Sequence, residues 1–223
     1  MIRKPRTSAD PDVSVVIPTV PANDHDAVVD ALREGTVEEF EVLVVDDADL
    51  DICEARNAGI EAATADIVAL TDDDCRPPPE WLARVRDALA GDAVCVEGRV
   101  EGGRTYRGTG LYVGCNLAVD RETALAAGGF RSAYAGWRDD TEFGWRMEDR
   151  GRCRYDHGMV MVHPDSPRAS IDDEKEARLR REYPRRYEER IVPDTALGRV
   201  NDWLWRRGFW DAVDRVRYAG GNS

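Results

Sequence analysis

The fold is indicated most directly by residues 65–82, which read ADIVALTDDDCRPPPEWL. The segment DIVAL at 66–70, apolar after its first residue, passes through Thr71 into three acids at 72–74, and three prolines follow at 77–79. A short β-branched run of this kind is typical of a buried strand, and consecutive prolines hold the chain beyond it in an extended loop. The segment therefore predicts a strand that delivers acidic side chains into a loop at its carboxyl end.

The overall composition makes an acidic triplet weak evidence by itself. With 44 Asp and Glu among 223 residues, random order gives roughly one or two runs of three acids. The net charge of −13 disfavours binding to nucleic acid, and 42% hydrophobic residues are enough to bury a core. The abundance of acids beside only two lysines suggests a salt-adapted, halophilic-type surface.

Cysteine usage and hydropathy bear on the compartment. The five cysteines form no CxxC pair, so reduced thiols in a cytoplasmic protein are favoured over a disulfide or zinc framework. No apolar run approaches the ~18 residues of a membrane span, and no apolar stretch of a secretory signal follows the N-terminus. We expect a cytoplasmic protein.

Strand-like and helix-like patterns alternate through the first hundred residues. The strands are predicted at 13–17, 40–45, 66–70 and 93–96, with helices at 24–34, 51–63 and 80–90 between them. This alternation predicts an α/β fold with a mostly parallel central sheet flanked by helices, a Rossmann-like arrangement. Ligands of such sheets bind beyond the carboxyl ends of the strands, where the acids at 46–47 and 72–74 are expected.

Several of these polar residues suit a nucleotide site, although each has a structural alternative. Carboxylates two apart on a turn, Asp72 and Asp74, can share a divalent cation that holds nucleotide phosphates; a solvated acidic loop is the alternative. Asp46 and Asp47 can accept hydrogen bonds from a base or ribose, or form only a polar strand exit. Arg56 can bind a base or diphosphate, or lie on the surface.

Two later segments offer catalytic groups. Asp139, Asp140 and Glu142 open a predicted helix at 139–150, either as capping acids or with a general base among them. His163 follows predicted strands at 153–155 and 159–162, and it is either structural or a third metal ligand. A strand is also predicted at 113–119.

In order and spacing, these segments resemble glycosyltransferase family 2, which has the GT-A fold. The resemblance rests on VSVVIPT (13–19), VVDD (44–47), ARNAGI (55–60), ADIVALTDDD (65–74), PPEWL (78–82), GCNLAV (114–119), GGF (128–130), DDTEFGWRM (139–147) and VH (162–163). It implies a GT-A domain at 13–166, with a nucleotide-sugar-binding half at 13–100 and an acceptor and catalytic half at 101–166. An N-terminal tail (1–12) and a helical C-terminal extension (167–223) flank this domain.

The resemblance also implies an inverting transfer of sugar from a nucleotide-diphospho-sugar to the hydroxyl of a glycan or lipid-linked acceptor, with Mg²⁺ or Mn²⁺ as cofactor. It assigns catalysis to Asp140, the base, and to Asp139, which stands where the family usually has Glu. Nucleotide-sugar binding is assigned to Pro18, Thr19, Asp46, Asp47, Arg56, Asp72, Asp73 and Asn116. The metal is assigned to Asp72, Asp74 and His163.

Two alternatives to this activity stay open at the level of sequence. A nucleotidyltransferase can share an acidic metal site, although residues 18–21 lack the Gly-rich phosphate-binding turn it normally needs. A catalytically silent sugar-nucleotide-binding subunit is the other.

The last segment, 195–218, combines helical apolar spacing with five arginines. It is interpreted as a helix, interrupted at Gly208, that docks on the catalytic domain or in a dimer. The alternative is peripheral contact with the inner face of a membrane. The charged stretch at 171–190 is predicted to be a solvated helix.

Overall fold

The computed structural model describes residues 1–102, 110–164, 171–192 and 195–218. The chain forms two compact units, Met1–Pro164 and Asp165–Ser223.

One sheet organises the first unit. Its described strands are β1 (Ile2–Arg6), β2 (Val13–Thr19), β3 (Phe40–Asp46), β4 (Ile67–Leu70), β5 (Ala93–Gly102), β6 (Leu117–Asp120) and β7 (Arg152–His163). Their order across the sheet is β1-β3-β2-β4-β6-β5-β7. Only β1 and β6 run antiparallel to their neighbours, so the other five strands share one direction. The predicted α/β fold with a mostly parallel sheet is confirmed.

Helices cover the faces of this sheet because its central strands are apolar on both sides. All seven residues of β2 are buried, which requires covering layers above and below. The helices of this unit are α1 (Asp26–Arg33), α2 (Ile52–Ala62), α3 (Trp81–Leu89), α4 (Arg121–Ala126) and α5 (Asp139–Glu148). A capping box starts α2: the Asp51 side chain accepts from the backbone of Cys53 and Glu54, and Glu54 accepts from the Asp51 backbone.

The second unit is helical where it is described. It contains α6 (Asp173–Glu182), α7 (Pro184–Arg190), α8 (Ala196–Arg206) and α9 (Phe209–Tyr218). The single helix predicted at 171–190 is wrong, since Pro184 starts a new helix where its ring cannot continue the old one. The predicted interruption at Gly208 is confirmed, with a φ of 69° at that residue. Among the described residues, no helix is long and apolar enough to cross a membrane.

Residues 1–12 are not simply the predicted tail. Residues 2–6 form β1, an edge strand paired antiparallel with β3. The Lys4 ammonium lies 2.9 Å from the Glu41 carboxylate, whose pKa is about 2: burial raises it, but bonds from Lys4, Ser14 and Thr64 outweigh that effect. β1 escapes pattern analysis because an exposed edge strand need not be apolar.

Two further predictions of local structure are corrected. The strand predicted at 113–119 starts only at Leu117, after a 3₁₀ turn at Gly114–Asn116, and it inserts antiparallel between β4 and β5. The two strands predicted near 153–162 are one strand, β7, whose register against β5 shifts between Gly98 and Arg99. An irregularity of this kind interrupts the sequence pattern without ending the strand.

Candidate active site

A cleft of about 340 Å³ opens at the carboxyl ends of β2 and β4. These strands are parallel neighbours, so the residues that follow them meet at one edge of the sheet. The cleft brings together predicted site residues Pro18, Thr19, Arg56, Asp72, Asp73, Asp74 and His163. Its remaining lining residues are Val20, Asn23, Leu50, Asp51, Ile52 and Ala55.

The three acids of the turn after β4 have different partners. Asp72 accepts a hydrogen bond of 3.3 Å from Nη2 of Arg56. Asp73 accepts from Oγ1 of Thr19 at 2.6 Å and from Nδ2 of Asn23 at 2.9 Å. Asp74 is half exposed, and its Oδ1 lies 3.6 Å from Nε2 of His163. The turn therefore ties α2, β2 and β7 together through one carboxylate each.

His163 reaches the turn because β7 ends against it. The backbone N–H of Arg76 donates to the carbonyl of Val162 at 2.8 Å, which fixes the end of β7 beside the acids. Nδ1 of His163 lies 2.9 Å from the carbonyl oxygen of Pro164. A carbonyl only accepts, so Nδ1 is the donor in this contact and Nε2 is the ring nitrogen that faces Asp74.

Asp74 and His163 fit a divalent cation. A carboxylate oxygen and a neutral imidazole nitrogen are ordinary metal ligands, and the bonded Nδ1 orients the ring for that role. Burial raises the pKa of Asp74, and the proximity of Asp72 and Asp73 adds to this, while His163 opposes it. The sulfur of Cys75 joins this pair, since the ligand atoms of the three residues lie within 4.8 Å of one another.

Arg56 is a buried cation that joins two parts of the site. Besides Asp72, it binds Asp139, with Nη1 donating to Oδ2 at 2.5 Å. Burial acts to lower the pKa of Arg56, but Asp139, Asp72 and Asp140 raise it above its usual value. The guanidinium carbon also lies 5.2 Å from the ring centre of Phe130. Arg56 thus links the acidic turn to the start of α5.

Asp140 is held at the start of α5 by backbone donors. Its Oδ2 accepts from the N–H of Gly114 at 3.1 Å, and its Oδ1 accepts from the N–H of Thr141 at 2.7 Å. Burial and the neighbouring Asp139 nevertheless raise the pKa of Asp140 to about 7, while Arg56 and the two N–H groups oppose the rise. A carboxyl group with this pKa can exchange a proton near neutral pH.

Gly114 leaves room for this arrangement. A Cβ at Gly114 would lie 2.4 Å from Nη2 of Arg56, closer than nonbonded atoms approach. The glycine therefore lets the guanidinium lie against its backbone while its N–H contacts Asp140. Sequence reasoning missed Gly114, Asn23 and Cys75, because a glycine, an amide and a thiol near predicted strand ends carry no signal specific to a site.

Three predicted nucleotide-sugar-binding residues do not line the cleft. Asp46 binds Arg3, and Asp47 lies 2.8 Å from the N-terminal ammonium, which lowers the pKa of Asp47. Asn116 is fully buried: its Oδ1 accepts from Nε1 of Trp81, and its Nδ2 donates to the carbonyls of Arg99 and Met159, each at 2.8 Å. The structure gives Asn116 a role in joining α3, β5 and β7.

A known protein family matches the part of the chain that carries most of the residues lining the cleft. The sequence model of the family described as "Glycosyl transferase family 2" matches residues 48–113, which span α2, the acidic turn and α3. These residues of the chain match the family, and they include the acidic turn of the cleft. No curated protein sequence matches the chain.

Solved structures show that the chain has the GT-A fold. It is similar to the mannosyltransferase PcManGT from Pyrobaculum calidifontis in complex with GDP-Man and Mn²⁺, with a TM-score of 0.58 and 20% identity over 97% of this chain and 77% of that one. It is also similar to residues 1–349 of S. aureus TarS in complex with UDP-GlcNAc, with a TM-score of 0.63 and 13% identity over 93% of this chain and 74% of that one.

Proposed function

We propose that the protein is a family 2 glycosyltransferase, which moves a sugar from a nucleotide-diphospho-sugar to an acceptor hydroxyl in a single displacement that inverts the anomeric carbon. The observation that carries this proposal is the bridge formed by Arg56 between Asp72 in the cleft and Asp139 beside the predicted base. Through this bridge, the acidic turn proposed to bind the donor and the helix that carries the proposed base are joined by ion pairs to the same arginine.

The cleft suits the nucleotide end of the donor. Its volume of about 340 Å³ lies in the range of small-molecule sites. Pro18, Leu50 and Ile52 supply apolar lining, and the acidic turn lies in the same cleft. The similar structures that hold GDP-Man and UDP-GlcNAc support a nucleotide sugar as the ligand, with the base and the sugar left to be identified.

Asp74 and His163 would hold a divalent cation, Mn²⁺ in preference to Mg²⁺, because Mg²⁺ prefers oxygen ligands alone. The PcManGT structure contains Mn²⁺, and a nitrogen donor beside a carboxylate suits that ion. When bound, such an ion supplies positive charge that neutralises the diphosphate as it leaves. Arg56 supplies fixed positive charge next to Asp72, so the turn is less repulsive to an anionic donor than its sequence suggests.

Asp140 acts as the general base. The two backbone N–H groups that bind its carboxylate fix its orientation, and its pKa of about 7 lets it accept a proton at neutral pH. As the acceptor oxygen forms its bond to the anomeric carbon, the bond from that carbon to the diphosphate breaks and the hydroxyl proton passes to Asp140. A single carboxylate suffices because attack and departure occur on opposite faces.

The test incubates the protein with a panel of nucleotide sugars and Mn²⁺. Sugar transfer or hydrolysis is measured as the release of the nucleoside diphosphate. The Asp140→Asn variant should bind the donor in calorimetry but lose turnover. The matched control Glu122→Gln changes an exposed acid in the first turn of α4 and should keep the wild-type rate. Donor binding without turnover by the wild-type protein would instead favour a silent binding subunit.

The acceptor is proposed to be a lipid-linked or glycan hydroxyl, with α8 and α9 in peripheral contact with the cytoplasmic face of a membrane. Among the side chains of these helices that the structure describes, six large apolar ones are exposed: Leu197, Val200, Trp203, Phe209, Val213 and Val216. Residues 195–218 contain five arginines and three aspartates, so this segment is basic in a chain of net charge −13. Exposed apolar and basic side chains on short helices are typical of contact with anionic lipid.

A further inference from the structure

A sulfur donor of the hydrophobic core lies next to the proposed metal ligands of the cleft. Sγ of Cys75, a carboxylate oxygen of Asp74 and a ring nitrogen of His163 lie within 4.8 Å of one another. Cys75 is fully buried, and the proposed sugar transfer makes no use of its thiol.

The neighbouring acids do not compete for this position. Asp72 is held by Arg56, and Asp73 is held by Thr19 and Asn23. Of the three acids in the turn, Asp74 is the one that faces His163. The donor set at this point is therefore one oxygen, one nitrogen and one sulfur.

Such a mixed set does not suit the hardest ions. Mg²⁺ requires oxygen ligands in near-octahedral geometry, whereas thiolate and imidazole ligands favour Zn²⁺ and Cd²⁺. Ligand atoms around a tetrahedral Zn²⁺ are separated by roughly 3.5 Å, and Oδ1 of Asp74 already lies 3.6 Å from Nε2 of His163. The approach of up to about 1 Å that binding requires is therefore between this pair and Sγ of Cys75, and Asp74, which is half exposed, can move toward the buried thiol.

We propose that Asp74, Cys75 and His163 form a thiol-containing coordination set that binds thiophilic divalent cations, Zn²⁺ or Cd²⁺, at the wall of the cleft, where Asp74 and His163 line it and the Cys75 thiol lies in the core behind them. Binding releases the thiol proton to solvent. The inference rests on the proposed function in one respect, because it takes Asp74 and His163 as ligands of the activating ion as well. A thiophilic cation bound there occupies both residues and inhibits sugar transfer.

The experiment uses the full chain, freed of metal by a chelator and titrated with CdCl₂ without donor or acceptor. The readout is the ultraviolet charge-transfer absorption of a cadmium–thiolate bond. All proteins carry Cys153→Ser, since Cys153 is partly exposed and could bind cadmium itself. Cys75→Ser removes the proposed sulfur ligand. Cys115→Ser is the matched control, because Cys115 is a buried thiol in contact with Cys75 but outside the cluster.

The Cys153→Ser protein and the Cys115→Ser control should both show the absorption band. The Cys75→Ser variant should lose the band and bind Cd²⁺ at least about tenfold more weakly, while its affinity for Mn²⁺ changes much less. A band that persists in Cys75→Ser with unchanged Cd²⁺ affinity would overturn the proposal.

A second variant covers the case in which Cys75→Ser does not fold. Asp74→Asn keeps the thiol and changes only a half-exposed carboxylate, and it should weaken Cd²⁺ binding; unchanged affinity would also overturn the proposal. Because neither readout involves donor or turnover, a missing glycosyltransferase activity would leave the cadmium result interpretable. Conversely, a negative cadmium result would leave the proposed sugar transfer untouched.

Discussion

Arg56 and Asp139 form a buried ion pair that connects α2 to α5, the helix that carries the proposed base. Nη1 of Arg56 donates to Oδ2 of Asp139 at 2.5 Å, and both side chains are less than one-tenth exposed. The same guanidinium binds Asp72. The position of the acidic turn and the position of α5 therefore depend on one arginine.

Arg56→Met should be strongly destabilising. It leaves Asp139 as a buried carboxylate without its partner, and loss of one member of a buried pair costs about 3 kcal/mol or more. Denaturation in urea measures the change. The matched control Arg33→Met breaks an exposed pair with Asp30 and should change the unfolding free energy by less than about 1 kcal/mol.

A second substitution separates the ion pair from simple loss of packing. Asp139→Asn added to Arg56→Met removes the unpaired carboxylate, so the double variant should recover part of the lost stability. Equal stability of Arg56→Met and wild type would show that the pair does not hold the site together.

The proton affinity of Asp140 predicts opposite effects on activity and stability. The rate of transfer should rise with pH through about 7, the pKa of Asp140, and level off above it, since only the ionised form is a base. The charged groups that set this pKa are Asp139, which raises it, and Arg56, which lowers it. A pH profile of initial rates at saturating donor checks this.

The stability of the folded protein should change with pH in the opposite direction to the transfer rate. Because the folded pKa lies above that of an unfolded Asp, the folded state loses stability as the pH rises from about 4 to 7. Asp140→Asn removes that loss, so the variant should be inactive and yet more stable than wild type at pH 8, with the difference disappearing near pH 4. An equal difference at both pH values would contradict a raised pKa.

A side chain at residue 114 should displace the guanidinium group of Arg56 from its position against the Gly114 backbone. A Cβ there would lie 2.4 Å from Nη2 of Arg56, and forcing an extra methyl group into a packed site costs about 1–3 kcal/mol. Gly114→Ala should therefore lower both stability and transfer. Gly91→Ala is the control, because a Cβ at Gly91 meets nothing within 4 Å and its stability should stay close to wild type.

The sheet and the cleft could be predicted from the sequence because they depend on local patterns. The apolar runs of β2, β3 and β4 each end in polar residues, and parallel neighbours bring those ends together. Asp72, Asp74 and His163 were accordingly predicted as neighbours, and the structure places all three at the cleft. The apolar pattern of each strand is enough to locate its end to within a few residues.

The directions of individual side chains could not be predicted in the same way. An arginine in the second turn of a helix gives the same pattern whether it faces a ligand or two buried carboxylates, so the partners of Arg56 were unknown. Asn116 looked like a polar residue of a site, but its bonds to Trp81 and two distant backbone carbonyls are long-range contacts. Strand β1 is specified by pairing and charge rather than by apolar residues.

Asn116→Ala should act on stability rather than on donor binding. The substitution leaves the buried Nε1 of Trp81 and the carbonyls of Arg99 and Met159 without their partner, which costs about 3 kcal/mol. Thermal or urea denaturation should show the loss, while calorimetry of the remaining folded protein should give a donor affinity within about threefold of wild type. A selective loss of donor affinity at unchanged stability would instead support the sugar-contacting role that sequence resemblance implied.

Membrane contact by α8 and α9 predicts flotation with anionic liposomes. The wild-type chain should float with vesicles rich in phosphatidylglycerol, less with neutral vesicles, and less again at high salt, because the arginine contribution is screened. Replacing Val200 and Trp203, both more than half exposed, by Glu should reduce the bound fraction by about tenfold or more.

Leu125→Glu, at an exposed leucine of the first unit, is the control and should float like wild type. If wild type ignores every vesicle and the Glu variant instead converts a dimer to a monomer in light scattering, the segment is a protein interface and the membrane proposal is wrong.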